Sequence, residues 1–342
     1  METEIRRQEF NKMSSIKIGI QLTKNPEKYK YLLSVLKSEV ITTNGLEFIH
    51  IPTDEDLIKI IPELDILTTY HIKETSFANA TNQLKWIHFG VAGLEYSLFP
   101  DILKSKTIIT NASGVHAGPV SEFVMGMILY FTKQFGGCEK FRNDTEWTQW
   151  ELARQTIQLK GKTIGIIGFG SLGKAIAKKA KAFDMKVIAT RRLQKKVENK
   201  KTVDELIPFS MLSHLLKNSD FVVVACPLTP LTKNMINKRE LYQMKSSAYI
   251  INIARGEIIN EAALLYALKS NTIAGAALDV FKKEPLPKES PLFALDNVFL
   301  SPHISGNFPE YQHDVMVQFA DNLNRYIAGK DLKNRVCKKR LY

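Results

Sequence analysis

The sequence contains no hydrophobic run that approaches the roughly 20 apolar residues needed to cross a lipid bilayer. Residues 1–15 are polar and charged, and they lack the apolar segment of a secretory signal peptide. We therefore expect no membrane partner. The first predicted strand begins only at Ile16, so Met1 and Met13 are alternative starts of the chain.

Cysteine is scarce, and histidine is not grouped. The three cysteines, Cys138, Cys226 and Cys337, are odd in number and far apart, which argues against a disulfide framework. Because disulfides persist in oxidising compartments, free thiols favour a reducing cytoplasm. The seven histidines show no spacing typical of metal ligands, and we expect no metal.

Acidic residues are outnumbered by basic ones, 35 to 47, and the net charge is +12. The lysines are scattered, and no aromatic-interleaved basic patch or nucleic-acid-binding motif accompanies them. We therefore expect no nucleic-acid partner, and the charge could instead attract small anions. The length of 342 residues and the 44% hydrophobic content are typical of a globular chain with two domains.

A glycine-rich turn between two predicted strands is the most informative stretch. Thr163–Ile167 is a short, partly β-branched apolar run that fits a buried parallel strand. Gly168 then allows a tight turn, Gly170 lets a pyrophosphate approach the backbone, and Gly173 lets the following helix pack closely. The N-terminus of that helix offers free N–H groups to phosphates, which predicts a dinucleotide site. The predicted cofactor-binding residues of this turn are Gly168, Gly170, Ser171, Leu172 and Gly173.

The next predicted strand ends in Arg191 and Arg192, where such domains usually carry an acid. An acid there binds the adenosine 2′-hydroxyl, whereas an arginine accommodates a 2′-phosphate. Arginine also pairs with phosphate through two parallel N–H donors. We therefore expect NADP(H) as the preferred cofactor; NAD(H) remains possible if the arginines only end a surface strand.

Short apolar runs alternate with helical segments on both sides of the glycine turn, which predicts open, largely parallel sheets. The first half has no glycine fingerprint and is expected to be a separate α/β domain. The predicted strands are residues 16–22, 48–51, 66–69, 86–89, 163–167, 186–192, 221–225, 249–253, 275–280 and 298–301.

Three local predictions concern less regular stretches. A helix is expected near residues 76–82, and a long, mainly apolar helix from Gly118 to Phe135, ended by Gly136 and Gly137. The basic stretch between Arg192 and residue 211 is expected to be a loop.

Three polar residues in the second half, Arg255, Glu284 and His303, each lie in a loop after a predicted strand, where ligands bind in open α/β sheets. Singly, each has an ordinary structural explanation. Arg255 could cap a helix, Glu284 could be a surface acid before a proline, and His303 could be a hydrogen-bonded core histidine.

Together with the glycine turn, these loops resemble the motifs of the D-isomer-specific 2-hydroxyacid dehydrogenase family. The resemblance covers the chain from Ile16 to about Ile327. It implies two Rossmann-like or flavodoxin-like α/β domains with open parallel sheets, the cofactor domain being inserted in the substrate domain. The implied boundaries are 1–112 for the substrate domain, 113–304 for the dinucleotide-binding domain, and 305–342 for a C-terminal segment that returns to the substrate domain. The matching motifs are Gly168-x-Gly170-x-x-Gly173, Asn252-x-x-Arg255-Gly256, Asp279-Val280-Phe281-x-x-Glu284-Pro285-Leu286-Pro287 and Pro302-His303-x-Ser305-Gly306.

The resemblance implies an NAD(P)-dependent oxidoreductase that reduces a small 2-oxo acid to the D-2-hydroxy acid. Arg255 would hold the substrate carboxylate in a forked, charge-assisted pair. His303 would donate a proton to the carbonyl oxygen during hydride transfer, with Glu284 orienting the imidazole and favouring its protonated form. Glyoxylate, hydroxypyruvate, pyruvate and branched-chain 2-oxo acids remain open as substrates, as does the physiological direction.

Further site residues follow from the resemblance alone. Val91, Ala92 and Gly93 match a substrate-binding loop, although Leu94 and Glu95 stand where the family more often has Gly and Asp. The remaining implied cofactor contacts are Cys226, Pro227, Thr232, Ile253, Ala254, Asp279 and Gly306.

The resemblance also bears on partners. The helix from Gly118 and the tryptophans after it lie where family members form a two-fold dimer, so a homodimer is expected. Some relatives of this fold act as nucleotide-sensing corepressors or interaction proteins, and that function is the alternative. The presence of Arg255, Glu284 and His303 together favours the enzyme.

Overall fold

The computed structural model describes residues 15–341, so the alternative start at Met13 lies outside the described residues. The described chain forms two compact units, one of residues 15–115 and 308–341 and the other of residues 116–307. The boundaries expected from the sequence were 112/113 and 304/305. No helix among residues 15–341 is long and apolar enough to cross a membrane.

The first unit is built on a five-stranded sheet in the order β2-β1-β3-β4-β5, with every neighbouring pair parallel. Its first helix begins where the Asn25 side chain accepts hydrogen bonds from the backbone N–H groups of Glu27 and Lys28. The elements up to residue 111 are β1 (Ile16–Gln21), α1 (Pro26–Glu39), β2 (Leu46–His50), α2 (Asp54–Ile60), β3 (Ile66–Thr69), α3 (Glu74–Phe77), β4 (Trp86–Phe89), α4 (Pro100–Lys104) and β5 (Ile108–Asn111).

The second unit is built on an eight-stranded sheet in the order β13-β12-β11-β10-β6-β7-β9-β8. All pairs are parallel except β8 with β9. Its elements are α5 (Ala117–Thr132), α6 (Phe135–Asp144), α7 (Gln149–Ala153), β6 (Thr163–Ile167), α8 (Ser171–Ala182), β7 (Lys186–Arg191), β8 (Glu198–Lys200), β9 (Val203–Pro208), α9 (Leu212–Asn218), β10 (Phe221–Val224), α10 (Lys238–Leu241), β11 (Tyr249–Asn252), α11 (Glu261–Lys269), β12 (Gly275–Leu278) and β13 (Val298–Leu300). A last helix, α12 (Tyr311–Ile327), belongs to the first unit, where it packs against α1.

The central strands of each sheet are buried on both faces, so strands such as β6 and β10 are largely apolar rather than alternating, whereas the edge strand β8 is polar and mostly exposed. In β10, Phe221 and Val223 pack in a cluster with α5 and α8, whereas Val222 and Val224 pack in a cluster with α9 and α11. In β4, Trp86 packs towards α12 and Ile87 packs into a separate cluster on the other face. Burial of these side chains is the dominant stabilising term.

Both strand orders reverse direction once, between β1 and β3 in the first sheet and between β6 and β10 in the second. Ligands bind outside the carboxyl ends of the strands at such switch points. The expected fold class is therefore confirmed: two doubly wound parallel sheets, one unit being inserted in the chain of the other.

Three local predictions were wrong. The helix near residues 76–82 is the single turn α3, because residues 78–84 form turns. The long helix ends at Thr132 rather than at the two glycines, since Gln134 is left-handed (φ 55°) and Gly136 and Gly137 lie inside α6. The stretch after Arg192 holds two strands, where Val203–Pro208 extends the sheet beside β7.

Candidate active site

The glycine turn after β6 requires glycine at two of its three positions. Gly168 has φ +108°, and a Cβ there would lie 2.8 Å from the carbonyl oxygen of Ala225 in the loop after β10. A Cβ on Gly173 would lie 2.1 Å from the Gly168 carbonyl oxygen, so only glycine lets α8 lie this close to the turn. The first and third glycines thus let the turn pack directly against neighbouring backbone atoms.

Gly170 differs from the other two glycines because a Cβ on it would point into open space. Gly170 is also the N-cap of α8, and it has no side chain that could cap the first turn. An open approach in front of the N-terminus of a helix suits a pyrophosphate. The turn therefore fits a dinucleotide, whose nicotinamide would supply the hydride.

The arginine pair lies beside this turn. The backbone N–H of Gly168 donates to the Thr190 hydroxyl (3.2 Å), which ties the turn to the end of β7. Arg191 is the next residue and the last of that strand, and Arg191 and Arg192 are both exposed. The structure therefore brings the predicted arginines to the carboxyl end of the strand next to β6.

Three neighbouring strands, β11, β12 and β13, end in register, so the three catalytic candidates start from aligned positions. Asn252 pairs with Leu278, and Leu278 pairs with Leu300. The N–H of Asp279 donates to the Asn252 carbonyl (3.1 Å), and that of Ser301 donates to the Leu278 carbonyl (3.0 Å). The loops that carry Arg255, Glu284 and His303 therefore leave the same edge of the sheet.

The Arg255 loop is held by a buried asparagine. The Asn252 amide donates to the Arg255 carbonyl (2.9 Å) and accepts from the N–H of Ala254 (3.1 Å). A Cβ on Gly256 would lie 2.0 Å from the backbone carbon of Phe281, so the next loop packs directly on this one. The Asn and Gly of the motif thus fix the backbone from which the arginine projects.

His303 and Glu284 form a direct pair. The imidazole Nδ1 of His303 donates to Glu284 Oε2 at 2.7 Å, and the other carboxylate oxygen accepts from the N–H of Phe281 at 2.9 Å. The His303 side chain is 49% exposed. Its backbone is left-handed (φ 55°), an uncommon conformation for a residue other than glycine.

Asp279 holds the loop that carries His303. This carboxylate is buried and accepts from the Ser301 hydroxyl (2.6 Å) and the N–H groups of Ile304 (2.9 Å) and Ser305 (3.0 Å). These three hydrogen bonds occupy both oxygens. The side-chain partners of Asp279 therefore lie in the histidine loop, and the cofactor contact expected for Asp279 from the sequence stays a prediction.

His116 is a residue of this region that the sequence analysis missed. Its Nδ1 donates to the Gly306 carbonyl (2.9 Å), and a Cβ on Gly306 would lie 2.8 Å from that nitrogen. Burial lowers the pKa of His116, and the charges of His303 and Arg255 lower it further. His116 is therefore a neutral neighbour of both, and only its position just before a helix could have drawn attention to it.

The other predicted cofactor residues lie on the loops after β10 and β11. Thr232 closes its own loop, accepting from the N–H of Thr229 (2.7 Å) and donating to the Pro227 carbonyl (2.8 Å). Burial raises the pKa of Cys226 to about 12, so this residue is a thiol and not a nucleophilic thiolate. Ile253 and Ala254 are buried beside Arg255.

The substrate loop predicted at Val91, Ala92 and Gly93 follows β4 in the first unit. The Val91 carbonyl accepts from the N–H of Ala112 (3.1 Å), and the Ala92 carbonyl accepts from the Asn111 amide (2.7 Å). The backbone of the loop is therefore anchored to the end of β5. Within residues 15–341, no group of three or more His, Cys, Asp or Glu side chains could hold a metal ion.

Comparisons with known proteins agree with this geometry. A family model described as D-isomer specific 2-hydroxyacid dehydrogenase, NAD binding domain, matches residues 125–305. The glyoxylate reductase of Thermofilum pendens is 36% identical over 286 residues, which cover 82% of this chain and 83% of that protein.

Solved structures give the same result. A D-isomer specific 2-hydroxyacid dehydrogenase family protein from Aeromonas salmonicida is 28% identical with a TM-score of 0.76, covering 95% of this chain and 100% of that one. The NADPH-dependent glyoxylate/hydroxypyruvate reductase of Sinorhizobium meliloti, in complex with NADP and sulfate, shares the fold with a TM-score of 0.80 at 24% identity, covering 96% and 100%. The chain thus belongs to the D-isomer specific 2-hydroxyacid dehydrogenase family and is an NAD(P)-dependent 2-hydroxyacid dehydrogenase.

Proposed function

We propose that this enzyme reduces a small 2-oxo acid, glyoxylate or hydroxypyruvate, to the D-2-hydroxy acid with NADPH as the hydride donor. The observation that carries the proposal is the 2.7 Å pair between His303 and Glu284. The His303 loop is fixed by Asp279, and the Glu284 loop packs on the loop of Arg255. The names of the relatives support the substrate class, since the Thermofilum pendens protein is a glyoxylate reductase.

His303 is assigned the proton transfer. Because its Nδ1–H donates to Glu284, Nε2 is the nitrogen that gains and loses the catalytic proton. In the protonated imidazole, Nε2–H can donate to the carbonyl oxygen of the substrate while Glu284 balances the positive charge. In the reverse direction, the neutral imidazole accepts the hydroxyl proton at the same atom.

Arg255 is assigned the substrate carboxylate. Its Nη1 donates to the Ala254 carbonyl (2.8 Å), which orients the guanidinium on a loop already fixed by Asn252. A planar guanidinium binds a carboxylate through two parallel hydrogen bonds and so orients the adjacent carbonyl carbon. Val91, Ala92 and Gly93 remain proposed substrate-binding residues, acting through their backbone N–H groups.

The preference for NADPH is assigned to Arg191, with Arg192 beside it. Support comes from the position of Arg191 at the end of β7, one residue after the threonine that hydrogen-bonds the glycine turn. A guanidinium at this point pairs with a 2′-phosphate, whereas NADH would meet no acid for its 2′-hydroxyl. Cys226, Pro227, Thr232, Ile253, Ala254, Asp279 and Gly306 remain proposed cofactor contacts.

We also propose a homodimer in the cytoplasm. Trp147 and Trp150, which follow α6, are 80% and 68% exposed, an unusual state for large aromatic side chains. Sedimentation of the Trp147→Ser/Trp150→Ser variant, compared with that of the original chain, tests this assignment. A dimer that the variant leaves unchanged would place the interface elsewhere.

The function is tested by pairing each cofactor with each substrate. Purified protein receives NADPH or NADH together with glyoxylate, hydroxypyruvate, pyruvate or 2-oxoisocaproate, and the loss of reduced nicotinamide absorbance is followed. We expect the highest kcat/KM for NADPH with glyoxylate or hydroxypyruvate, and the D-isomer as the product where the product is chiral. Turnover with none of the pairs, in a protein that still binds NADPH, would refute the proposal.

A further inference from the structure

A basic cavity lies in the first unit. It has a volume of about 450 Å³ and is lined by residues 105–109 and 335–340. Residues 334–336 run antiparallel beside β5: the Val336 N–H donates to the Ile109 carbonyl (2.8 Å), and the Asn111 N–H donates to the Asn334 carbonyl (3.2 Å). Two stretches that are more than 220 positions apart in the sequence therefore form its walls.

Four cationic residues, Lys106, Arg335, Lys338 and Arg340, are among the described residues that line the cavity, and no described Asp or Glu is. Within residues 15–341, none of these four forms an ion pair. Other cations of the unit do form such pairs, as Lys17 does with Glu63. Four like charges around one cavity repel one another unless an anion is bound.

Lys338 is the most enclosed of the four cations. Its ammonium group donates to the Ser105 carbonyl (2.7 Å) and to the Ser105 hydroxyl (3.0 Å). Burial lowers the pKa of Lys338, and the charge of Arg335 lowers it further. The ammonium group is therefore held in place by Ser105, and the charge of Arg335 acts on it.

The cavity is distinct from the proposed substrate loop. Lys106 precedes β5, whereas the loop at Val91–Gly93 follows β4. Because β4 and β5 are parallel, the start of β5 and the end of β4 lie at opposite ends of the strands. An anion at Lys106 would therefore not occupy the substrate loop.

We propose that this cavity binds a small polyanion carrying phosphate groups. Its volume is within the range of about 300–1,000 Å³ that small-molecule sites occupy. Four cations from two segments can neutralise a multiply charged group, and arginine pairs with phosphate through a planar fork. A nucleic acid would instead need a continuous basic stripe.

Cys337 provides a reporter inside the cavity. It lies in the lining, and the hydrogen bond from the Arg340 backbone N–H lowers the pKa of its thiol. A bound polyanion would disfavour the thiolate and block access, so alkylation by iodoacetamide should slow down. The exposed Cys138 is replaced by Ser in all proteins used, so that the labelling of Cys337 is measured by itself.

The test titrates inorganic pyrophosphate at constant ionic strength and follows the alkylation rate of Cys337. We expect saturable slowing of at least fivefold. In Lys106→Ala/Arg335→Ala, at least tenfold more pyrophosphate should be needed for half the effect. The matched control Lys104→Ala/Lys339→Ala removes two nearby charges outside the lining and should titrate like the original.

Three results would overturn the proposal: no slowing by pyrophosphate, equal slowing by chloride at the same ionic strength, or the same half-effect concentration in both double variants. Orthophosphate, run in parallel, should act at higher concentrations because it carries less charge. The glycine turn and Arg191 do not line this cavity. A negative result here would therefore leave the proposed reductase function standing, and an absence of reductase activity would leave the proposed anion site standing.

Discussion

In the first unit, the turn after β4 carries Val91, Ala92 and Gly93, whereas in the second unit the turn after β6 carries three glycines and starts a helix. Both turns leave the carboxyl end of a strand in a doubly wound parallel sheet. The sheets are thus alike in backbone design, and the chemistry is decided by the residues that follow the strands. In the second unit those residues include Arg255 and His303.

The buried interiors of the two units differ as well. The core clusters around the second sheet consist of hydrophobic side chains, whereas β4 of the first sheet carries a buried histidine. The Trp86 indole N–H donates to the Thr110 hydroxyl (2.8 Å), which is also 2.9 Å from Nδ1 of the fully buried His88. Nε2 of His88 has no hydrogen-bond partner. The first unit therefore contains a group whose charging would destabilise it.

The largest expected effect concerns the second unit. Replacing His303 by Asn removes the proton donor, so kcat should fall by about 10²–10⁴-fold, while NADPH binding measured by fluorescence should hardly change. The matched control is His214→Asn, since His214 pairs with Glu205 at 2.8 Å on the same unit. Equal activity of the His303 variant and the original would remove this residue from catalysis.

The glycine turn provides a contrast within one loop. Gly168→Ala would force a left-handed alanine against the Ala225 carbonyl, and we expect a loss of about 1–3 kcal/mol in the free energy of unfolding. In Gly170→Ala, the added methyl group points into open space, so the free energy of unfolding should stay the same. NADPH binding should nevertheless weaken about tenfold or more. Denaturant unfolding and cofactor titration separate the two effects; equal stability losses would contradict this reading.

Acid should affect the first unit through His88. Burial lowers its pKa from 6.5 to about 3, so below pH 6.5 the unfolded chain binds a proton that the folded chain does not. The stability present above pH 6.5 is therefore lost as the pH falls towards 3, at about 1.4 kcal/mol per pH unit.

The control for this prediction is His88→Gln, which cannot charge. The free energy of unfolding is measured between pH 7 and 5, above the range where most carboxylates titrate. The original should lose more stability than the variant across this interval, because only the original has a histidine with a lowered pKa at position 88. The lowered pKa of His116 contributes equally to both proteins. Parallel pH profiles would show that His88 does not carry the slope.

The smallest expected effect concerns cofactor choice. Arg191→Ala should raise the KM for NADPH about 10–100-fold, the equivalent of one charge-assisted hydrogen bond, and leave that for NADH nearly unchanged. Lys196→Ala, which removes a nearby exposed charge, is the control. If both variants keep the original ratio of NADPH to NADH efficiency, the arginine does not select the cofactor.

Local patterns in the sequence were sufficient for β1 to β4 of the first sheet, but not for β5, and for the strands of the second sheet except β8 and β9. The basic residues around Val203–Pro208 concealed a strand, because its pairing with β7 is a long-range contact that overrides weak local propensity. The end of the long helix was misjudged for a related reason. Gly136 and Gly137 are tolerated inside α6, while the break falls at the left-handed Gln134.

By itself, the sequence determined the fold class, the dinucleotide turn and the identity of the three catalytic candidates, since each depends on residue types at short spacings. Only the tertiary structure decided how these residues are held. Asp279 supports the His303 loop, Asn252 supports that of Arg255, and His116 supports Gly306. The physical reason is that such contacts join strand ends adjacent only in the folded sheet, and a one-dimensional pattern does not encode which buried donor meets which acceptor.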